Sequence, residues 1–443
     1  MIKIENKELC CGCGACAQAC PQACISLQAD SEGFLYPKVD TALCSHCGRC
    51  EKVCPFLNTG GEREPLRVLA AVNTERSVRV RSSSGGLFYL LARQTLARGG
   101  VVFGARFDEN WQVLLDYAED ISGLEAFMGS KYVQARTGTA FRDAQAFLKA
   151  GRQVLFTGTP CQIAALRRFL GRDDERLLAV DVVCHGVPSP KVWDLYLRSL
   201  GETDHLEAVN FRCKAQGWRH YALQLRFAPK AAGAKRELLQ PAMQNPYMRA
   251  FLSDLTLRPA CYACRVKDGR SLSDLTLADC WGIQHLLPAT PLDDDRGTSL
   301  LLVNSRRGAA ALRALEGPDA ENGGDAAPAE GSARLLTQEL RYAAFRVHNP
   351  AQWSNVKPHR QRRRFFRELA RAERSSAGRV AACGPGGAAA PATRTAHGDI
   401  ITLIERCLRP GLCQRLQTRW QAHYRRLHHC AAQLKAKLKA KRK

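Results

Sequence analysis

The feature that most constrains this 443-residue chain is a cysteine spacing that occurs twice near its N-terminus. Each copy has the form C-x2-C-x2-C-x3-C followed by proline. The two copies are Cys10, Cys13, Cys16, Cys20 before Pro21 and Cys44, Cys47, Cys50, Cys54 before Pro55. In this spacing three close thiolates hold one iron–sulfur cube, and the fourth crosses to the other cube. The predicted ligand sets are Cys10, Cys13, Cys16, Cys54 and Cys44, Cys47, Cys50, Cys20.

Zinc and disulfide bonds are the competing uses of these thiols. C-x2-C pairs also bind zinc, but zinc gives no reason for three evenly spaced cysteines plus a Cys-Pro, twice. Disulfide frameworks are typical of small exported domains, whereas this chain is long and its first nine residues do not resemble a signal peptide. The segment is therefore predicted to hold two 4Fe–4S clusters, with Cys11 and Cys24 left over.

Composition divides the chain into four parts. Residues 1–60 are predicted to form an α+β ferredoxin-like module, and 58–65 a hinge. Residues 66–370 alternate short apolar runs with helical stretches, which predicts an α/β domain, with a loop insertion at 317–332. Residues 375–398 predict a flexible linker, and 399–443 a basic helical tail.

Nine elements of the α/β domain are predicted from apolar periodicity. The strands are Val68–Val72, Val101–Ala105, Val113–Tyr117, Val154–Phe156 and Leu178–Val183, and the helices are Leu87–Ala97, Thr139–Ala150, Gln162–Leu170 and Lys191–Leu200. The order of the strands in a sheet does not follow from the sequence.

The formal net charge of +23 is concentrated near the C-terminus, where residues 401–443 hold twelve Lys/Arg against one Glu. Few aromatic side chains accompany these charges at stacking spacing, which argues against nucleic-acid binding. The tail is predicted to contact an acidic partner or an anionic membrane face, or to be a solubilising extension. Because no run approaches the roughly 20 apolar residues of a membrane-spanning helix, we expect a cytoplasmic protein with, at most, peripheral membrane association.

Seven segments after the module occur in the order typical of one protein family. They are SSSGGLF at 82–88, GSKYVQA at 129–135, FTGTPCQ at 156–162, VDVVCHGVPSP at 180–190, FRCKAQGW at 211–218, CYACRVK at 261–267 and SDLTLADCWGI at 273–283. Over about residues 5–365 the chain resembles the coenzyme F420 hydrogenase/dehydrogenase beta-subunit family, in the bacterial form with an N-terminal two-cluster ferredoxin domain. It departs from the family at Cys280, where an aromatic residue usually precedes the tryptophan.

The resemblance implies that the α/β domain binds FAD. The predicted contacts are Ser84, Gly85, Gly86, Ser130, Lys131, Tyr132, Gly158, Thr159 and Pro160. Two of these groups lie at turns before helices, where free amides and the helix dipole suit a pyrophosphate. Ordinary turn chemistry is the alternative. Lys131 is predicted to stabilise the reduced flavin as a cation, unless it is a solvated surface lysine.

A third 4Fe–4S cluster is predicted on Cys161, Cys184, Cys261 and Cys264, since thiolates from separate loops can converge on one cube. Zinc on the same ligands, or inert buried thiols, are the alternatives. His185, next to Cys184, is predicted to be a proton carrier or a hydrogen-bond donor beside the cluster. Lys131 and His185 are the two candidate catalytic residues.

These features together predict an iron–sulfur flavoprotein oxidoreductase. Iron–sulfur cubes pass single electrons and a flavin can pair them, so the chain would connect the clusters with a two-electron acceptor. The acceptor is either the deazaflavin coenzyme F420 or a small metabolite related to polysaccharides. The expected protein partner is a ferredoxin or a redox subunit. The alternative is a non-catalytic electron-transfer or docking subunit of a larger complex.

Overall fold

The computed structural model describes residues 1–201, 205–229, 236–316, 335–382 and 393–408. Its strands are β1 (Ile25–Ala29), β2 (Leu35–Val39), β3 (Arg67–Asn73), β4 (Val101–Phe107), β5 (Val113–Ala118), β6 (Val154–Gly158), β7 (Leu177–Val182), β8 (Leu206–Cys213), β9 (Ala222–Phe227), β10 (Arg236–Pro241), β11 (Leu275–Asp279), β12 (Ser299–Val303) and β13 (Leu335–Glu339). All five strands predicted from the sequence are present, within two residues of the predicted bounds.

The helices complete this inventory. They are α1 (Ala15–Ala19), α2 (Arg49–Lys52), α3 (Arg76–Arg81), α4 (Leu87–Ala97), α5 (Ala140–Lys149), α6 (Pro160–Leu170), α7 (Pro190–Ser199), α8 (Pro246–Leu252), α9 (Pro259–Tyr262), α10 (Ile283–Leu286), α11 (Arg306–Glu316), α12 (Tyr342–His348), α13 (Arg362–Ala382) and α14 (Thr393–Cys407). The four predicted helices are present. None of the described helices is long and apolar enough to cross a membrane.

The N-terminal module is built from two similar halves. The β1–β2 hairpin is antiparallel, and each short helix, α1 and α2, begins directly after a glycine in the left-handed region, Gly14 (φ 70°) and Gly48 (φ 72°). A side chain at such a position would be strained. These turns place Cys16 and Cys50 in the first turn of a helix, where both are buried. The predicted α+β module is confirmed.

A mixed eight-stranded sheet forms the body, in the order β13-β3-β12-β11-β7-β6-β4-β5. The four strands β11, β7, β6 and β4 are parallel to one another. Strand β12 is antiparallel to both β11 and β3, so β3 runs in the same direction as the parallel set. As a result, the carboxyl ends of β3, β6, β7 and β11 lie along one edge of the sheet.

A second, three-stranded sheet, β10-β9-β8, packs beside the first with several helices. The core between them is aromatic: Trp193, Phe211 and Tyr247 are fully buried and their rings contact one another at centroid distances of 4.9–6.0 Å. Helix α14 joins this core through Leu403 and Ile404 and packs against α7, α8 and α13.

This packing corrects the predicted linker at 375–398. Helix α13 continues to Ala382 and α14 begins at Thr393, so both ends of that segment are helical and only 383–392 lies outside the described residues. The glycines and prolines of this segment favoured a linker, but its alanines have the highest helix propensity of all residues. The predicted loop at 317–332 lies outside the described residues, and so does the tail beyond 408.

The predicted hinge at 58–65 is also corrected, because the body holds this segment in place. The Arg63 amide donates to the carbonyl oxygen of Asp268 at 3.4 Å, and its guanidinium donates to the carbonyl of Ser273. Glu62 forms an ion pair with Arg270. The residues between module and body are therefore a fixed connection.

Asp181 on β7 provides a pH-dependent test of this sheet. Its carboxylate is buried and accepts hydrogen bonds from Ser271 Oγ (2.6 Å) and Thr276 Oγ1 (2.5 Å). Burial raises the pKa of Asp181 to about 6 in spite of these bonds. An unfolded Asp has a pKa near 3.9, so the carboxyl is neutral in both states at low pH. The free energy of unfolding therefore falls as pH rises from about 4 to about 6. Above about pH 6 the full cost of burying the charged carboxylate remains.

We expect Asp181→Asn to raise the free energy of unfolding at pH 8 by up to about 3 kcal/mol, and to change it little at pH 4. Urea midpoints at the two pH values measure this. Asp174→Asn is a control with the opposite expected sign. The hydrogen bond from Arg176 lowers the pKa of Asp174, so removing this carboxylate should lower the urea midpoint at pH 8. Equal midpoints for wild type and Asp181→Asn at pH 8 would contradict the burial argument.

Candidate functional site

A cavity of about 1480 Å³ opens at the sheet edge where β3, β6, β7 and β11 end. Its volume exceeds the roughly 300–1,000 Å³ of ordinary small-molecule sites. Seven of the nine residues predicted to contact FAD line it: Ser84, Gly86, Ser130, Lys131, Tyr132, Gly158 and Thr159. Gly85 and Pro160 do not line the cavity and are buried behind it. Ligands of α/β proteins bind at this edge of the sheet.

The loop Ser82–Gly86 is hydrogen-bonded to the sheet, and the helix that follows it has no side-chain cap at its N-terminus. Ser84 Oγ donates to the carbonyl of Thr298 at 2.8 Å, and the Gly85 amide donates to Ser299 Oγ at 2.9 Å. A Cβ atom on Gly85 would lie 2.5 Å from the carbonyl oxygen of Ala71, so no larger residue fits. Helix α4 follows with no side chain capping it, which leaves amide donors and the positive dipole end at the cavity wall.

The turn Gly158–Pro160 differs, because its helix is already capped. Thr159 and Gln162 form a capping box at the start of α6, with the Thr159 amide donating to Gln162 Oε1 at 2.9 Å. What the turn presents to the cavity is the thiol of Cys161, which lies 3.2 Å from Thr159 Oγ1. The turn therefore positions a cysteine, and its role as a phosphate-binding turn stays a prediction.

Lys131 lines the cavity, but its ammonium group is used by the chain itself. Nζ donates to the carbonyl oxygens of Ala126 (2.7 Å), Met128 (2.9 Å) and Gly129 (3.2 Å). Burial lowers the pKa of Lys131 to about 7. All three donors of the ammonium group have partners, so its predicted role at the flavin stays a prediction.

Arg212 is a cation at this cavity that the sequence reasoning missed. It is 4% exposed and donates to both oxygens of Asp279, at 2.8 and 3.1 Å, and to the hydroxyl of Tyr132 at 3.2 Å. Burial alone would lower the pKa of Arg212, but the Asp279 carboxylate raises it above its ordinary value. Its Nε is buried with no hydrogen-bond partner among the described residues. The guanidinium of Arg212 therefore stays charged, and the Asp279 carboxylate balances that charge within the site.

Aromatic rings surround this guanidinium. Its central carbon lies 4.1 Å from the ring centre of Tyr221 and 5.3 Å from that of Trp281. Trp281 stacks on Trp218 at 4.6 Å with an interplanar angle of 6°, and Trp218 Nε1 donates to Asp279 at 3.0 Å. The FRCKAQGW and ADCW segments supply Arg212, Trp218, Asp279 and Trp281, whereas Tyr221 lies outside both. The contact between the two segments does not follow from their sequences.

His185 faces the same cavity next to the thiol of Cys184. Its Nε2 lies 2.7 Å from Asp254 Oδ1, and its ring packs edge-on against Phe251. A carboxylate in this position fixes the orientation and tautomer of an imidazole. The arrangement is compatible with either predicted role, proton carrier or hydrogen-bond donor.

The N-terminal cysteines form two groups. The outer set, Cys20, Cys44, Cys47 and Cys50, lines a small enclosed space of about 20 Å³ together with Gly48 and Cys24. The inner set is Cys10, Cys13, Cys16 and Cys54; burial and the neighbouring thiols of Cys10 and Cys54 raise the pKa of Cys16 to about 12. Each set therefore contains the distant cysteine that the crossed pattern assigned to it.

The four cysteines of the body also converge, as a third group. This body set is Cys161, Cys184, Cys261 and Cys264. Burial raises the pKa of Cys184, and the thiols of Cys261, Cys161 and Cys264 raise it further. Across residues 1–201, 205–229, 236–316, 335–382 and 393–408, no three His, Cys, Asp or Glu side chains are grouped as ligands of a single metal ion.

The inner set and the body set meet at Cys11, which the sequence left without a role. Hydrogen bonding between the thiols of Cys11 and Cys161 is the main cause that raises the pKa of Cys161. Cysteines of the module and Cys161 and Cys264 of the body share one apolar cluster with Ala164 and Val266. The module and the body are thus joined by an apolar contact that includes cysteines of both parts.

Comparison with known proteins agrees with this division of the chain. Residues 9–58 match the family model of the 4Fe-4S dicluster domain, and residues 151–320 match that of the C terminus of the coenzyme F420 hydrogenase/dehydrogenase beta subunit. The resemblance predicted from the seven segments is confirmed. Two 4Fe–4S clusters in the module are supported by the first match.

One solved structure and the curated proteins complete the comparison. The structure is the xenon-derivatised F420-reducing NiFe hydrogenase complex from Methanosarcina barkeri, with 14% identity and a TM-score of 0.40 over 74% of this chain and 97% of that chain. No curated protein matches this chain.

The fourth ligand of the outer set can be tested directly, because Cys20 Sγ lies only 3.3 Å from Cys24 Sγ. The motif assigns the ligand to Cys20. We therefore expect Cys20→Ser to lose about half of the iron of the module, corresponding to one of two clusters, while Cys24→Ser keeps it all. Iron and acid-labile sulfide measured on anaerobic protein decide this. Retention of iron in Cys20→Ser with loss in Cys24→Ser would transfer the role to Cys24.

Proposed function

We propose that this chain, which matches the C-terminal model of the coenzyme F420 hydrogenase/dehydrogenase beta-subunit family over residues 151–320 and a 4Fe–4S dicluster domain over 9–58, is an iron–sulfur flavoprotein oxidoreductase. It exchanges electrons between a protein donor and a two-electron acceptor. The observation that supports this most strongly is one large cavity whose wall includes an uncapped helix N-terminus, a buried arginine and thiols of the body set. When bound, FAD would supply the step between one-electron and two-electron chemistry.

The residues present fit a flavin. The uncapped amides at the start of α4 would donate to an anion such as a pyrophosphate. Arg212 stays charged at any accessible pH, and although Asp279 pairs with it, its guanidinium would favour a ring system on which negative charge develops. Tyr132, Tyr221 and Trp281 beside it give this part of the cavity wall an aromatic character that suits an aromatic ligand.

The body set fits a third cluster. Its thiols come from the start of α6, the residues just after β7, α9 and the residues just after α9, and all four are partly buried. Val187 donates its amide to Cys261 Sγ at 3.4 Å, and hydrogen bonds to ligand sulfurs are one of the means by which proteins tune such clusters.

The proposal has two candidates for the two-electron acceptor. Deazaflavin coenzyme F420 is the first candidate and a small metabolite related to polysaccharides the second. The anaerobic protein, reduced with dithionite, should reduce coenzyme F420 promptly. The loss of the visible absorbance of the coenzyme measures this reaction. Turnover of a nucleotide sugar without reaction of coenzyme F420 would favour the second. Absence of flavin from anaerobically purified protein would support a docking subunit instead.

Arg212→Met tests the flavin site. We expect at least a tenfold weaker affinity for FAD, because the variant removes the buried cation while keeping an apolar side chain of similar length. Fluorescence titration of the flavin-free full chain with FAD measures the affinity. Arg106→Met is the matched control, since Arg106 pairs with Asp116 on the sheet, outside the cavity. Unchanged affinity in Arg212→Met would remove Arg212 from the site.

Cys264→Ser tests the third cluster. It should lose about four iron atoms per chain and leave the rest in place, because the module has its own ligands. Cys213→Ser is the control: Cys213 is a buried thiol on β8 that belongs to none of the three sets. Unchanged iron in Cys264→Ser, or zinc in its place, would contradict the assignment of a cluster to the body set.

A further inference from the structure

We infer that Arg258 is a positioning residue that raises the reduction potential of the cluster held by the inner set, and so offsets the effect of that cluster's burial. The inference rests on the proposed function in one respect, namely that iron–sulfur clusters occupy the module. It assigns a role to a residue outside the seven family segments, which no sequence pattern singled out.

Arg258 connects the body to the first ligand loop of the module. It is fully buried, and Nε donates to the carbonyl of Cys10 at 2.7 Å while Nη2 donates to the carbonyl of Leu35 at 2.9 Å. Nη2 also lies 3.6 Å from Cys10 Sγ. A Cβ atom on Gly12 would lie 2.6 Å from Nη1, so the ligand loop passes directly over the guanidinium.

The charge of this guanidinium has no carboxylate partner among the described residues. Its polar contacts there are carbonyl oxygens, the Gln134 amide oxygen at 3.1 Å and the Cys10 sulfur, and the ring of Tyr36 lies at 4.3 Å. A buried cation without a counter-charge is costly. Thiolate ligands supply the missing negative charge, which makes this contact itself an indication that Cys10 binds a cluster.

A second buried arginine at the same interface shows the contrast. Arg362 is 8% exposed and forms an ion pair with Glu32 of the module, with Nη1 3.0 Å from Oε1. It also donates to the carbonyl of Leu257, the residue before Arg258. Both arginines fasten the module to the body, but of the two Arg258 is the one that brings a positive charge without a carboxylate partner to a cysteine ligand.

The expected direction follows from charge. Reduction adds one negative charge to a cluster, and burial disfavours this gain, so the inner cluster would be hard to reduce. A cation beside Cys10 favours the reduced state, because charge and hydrogen bonds at the sulfurs set the potential. The outer set is in contact with water, since Cys47 is exposed, and lies outside the contacts of Arg258.

Redox titration followed by electron paramagnetic resonance tests this on the full chain, with dithionite as reductant. Cys47→Ser identifies the signal of the outer cluster. We expect Arg258→Gln to make the inner cluster at least tenfold harder to reduce, which is about 59 mV for one electron, and to leave the outer cluster unchanged. Arg258→Lys, which keeps the charge, should stay within about threefold of wild type, about 30 mV.

Arg362→Gln is the matched control and should lower stability without moving either potential. The inference is overturned if iron-replete Arg258→Gln keeps the wild-type potentials, if Arg258→Lys shifts as far as Arg258→Gln, or if Arg362→Gln shifts the inner cluster equally. Should Arg258→Gln lose its iron, the lysine variant decides. If both Arg258 variants lose their iron, the potentials of the wild-type protein decide. The reduction midpoint of the inner cluster should then lie no more than about tenfold, 59 mV, below that of the outer cluster. Wild type without iron would instead refute the proposed function.

Discussion

The contact between the Cys10–Cys13 loop and the start of α6 is the interaction on which the rest of this structure depends. It brings Cys11 of the module against Cys161 of the body, inside an apolar cluster that both parts share. Electrons cannot pass between sites that water and flexible chain keep apart. Here the connecting segment is tied to the body through Arg63 and Glu62, so the two sites stay adjacent.

Sheet direction is the second constraint. Because β3, β6, β7 and β11 point the same way, the residues that follow them are collected at one edge although they are far apart in sequence. This is why a serine–glycine loop, a cysteine at a helix start, a Cys-His pair and an aspartate can line one cavity. The antiparallel strand β12 then closes the edge by pairing its first residues with the Ser82–Gly86 loop.

Local patterns predicted much of this arrangement. The repeated cysteine spacing identified the module, and its distant thiols lie in the groups that the spacing predicted; apolar runs identified five strands and four helices. Cys161, Cys184, Cys261 and Cys264 were expected to converge from separate loops, and the structure brings their partly buried thiols together.

Contacts between distant residues could not be predicted in this way. Arg258 meets Cys10 across 248 positions and Arg212 meets Asp279 across 67, and no local pattern indicates which distant residue either arginine contacts. The second sheet and the docking of α14 were missed for the same reason, since tertiary burial decides them. Lys131 carried the expectation of a cation at the flavin, whereas the structure gives its ammonium group three carbonyl partners and places Arg212 among the aromatic rings.

The central claim is that the outer, inner and body sets of cysteines each hold an iron–sulfur cluster, and that the cavity beside them binds a flavin. Simultaneous determination of iron, acid-labile sulfide, zinc and flavin in one anaerobic preparation of the full chain tests it most directly. The account predicts about twelve iron atoms and about twelve sulfides per chain, about one flavin and no stoichiometric zinc. Zinc in place of iron, or iron and sulfide at that ratio with no flavin retained or bound on addition of FAD, would contradict it.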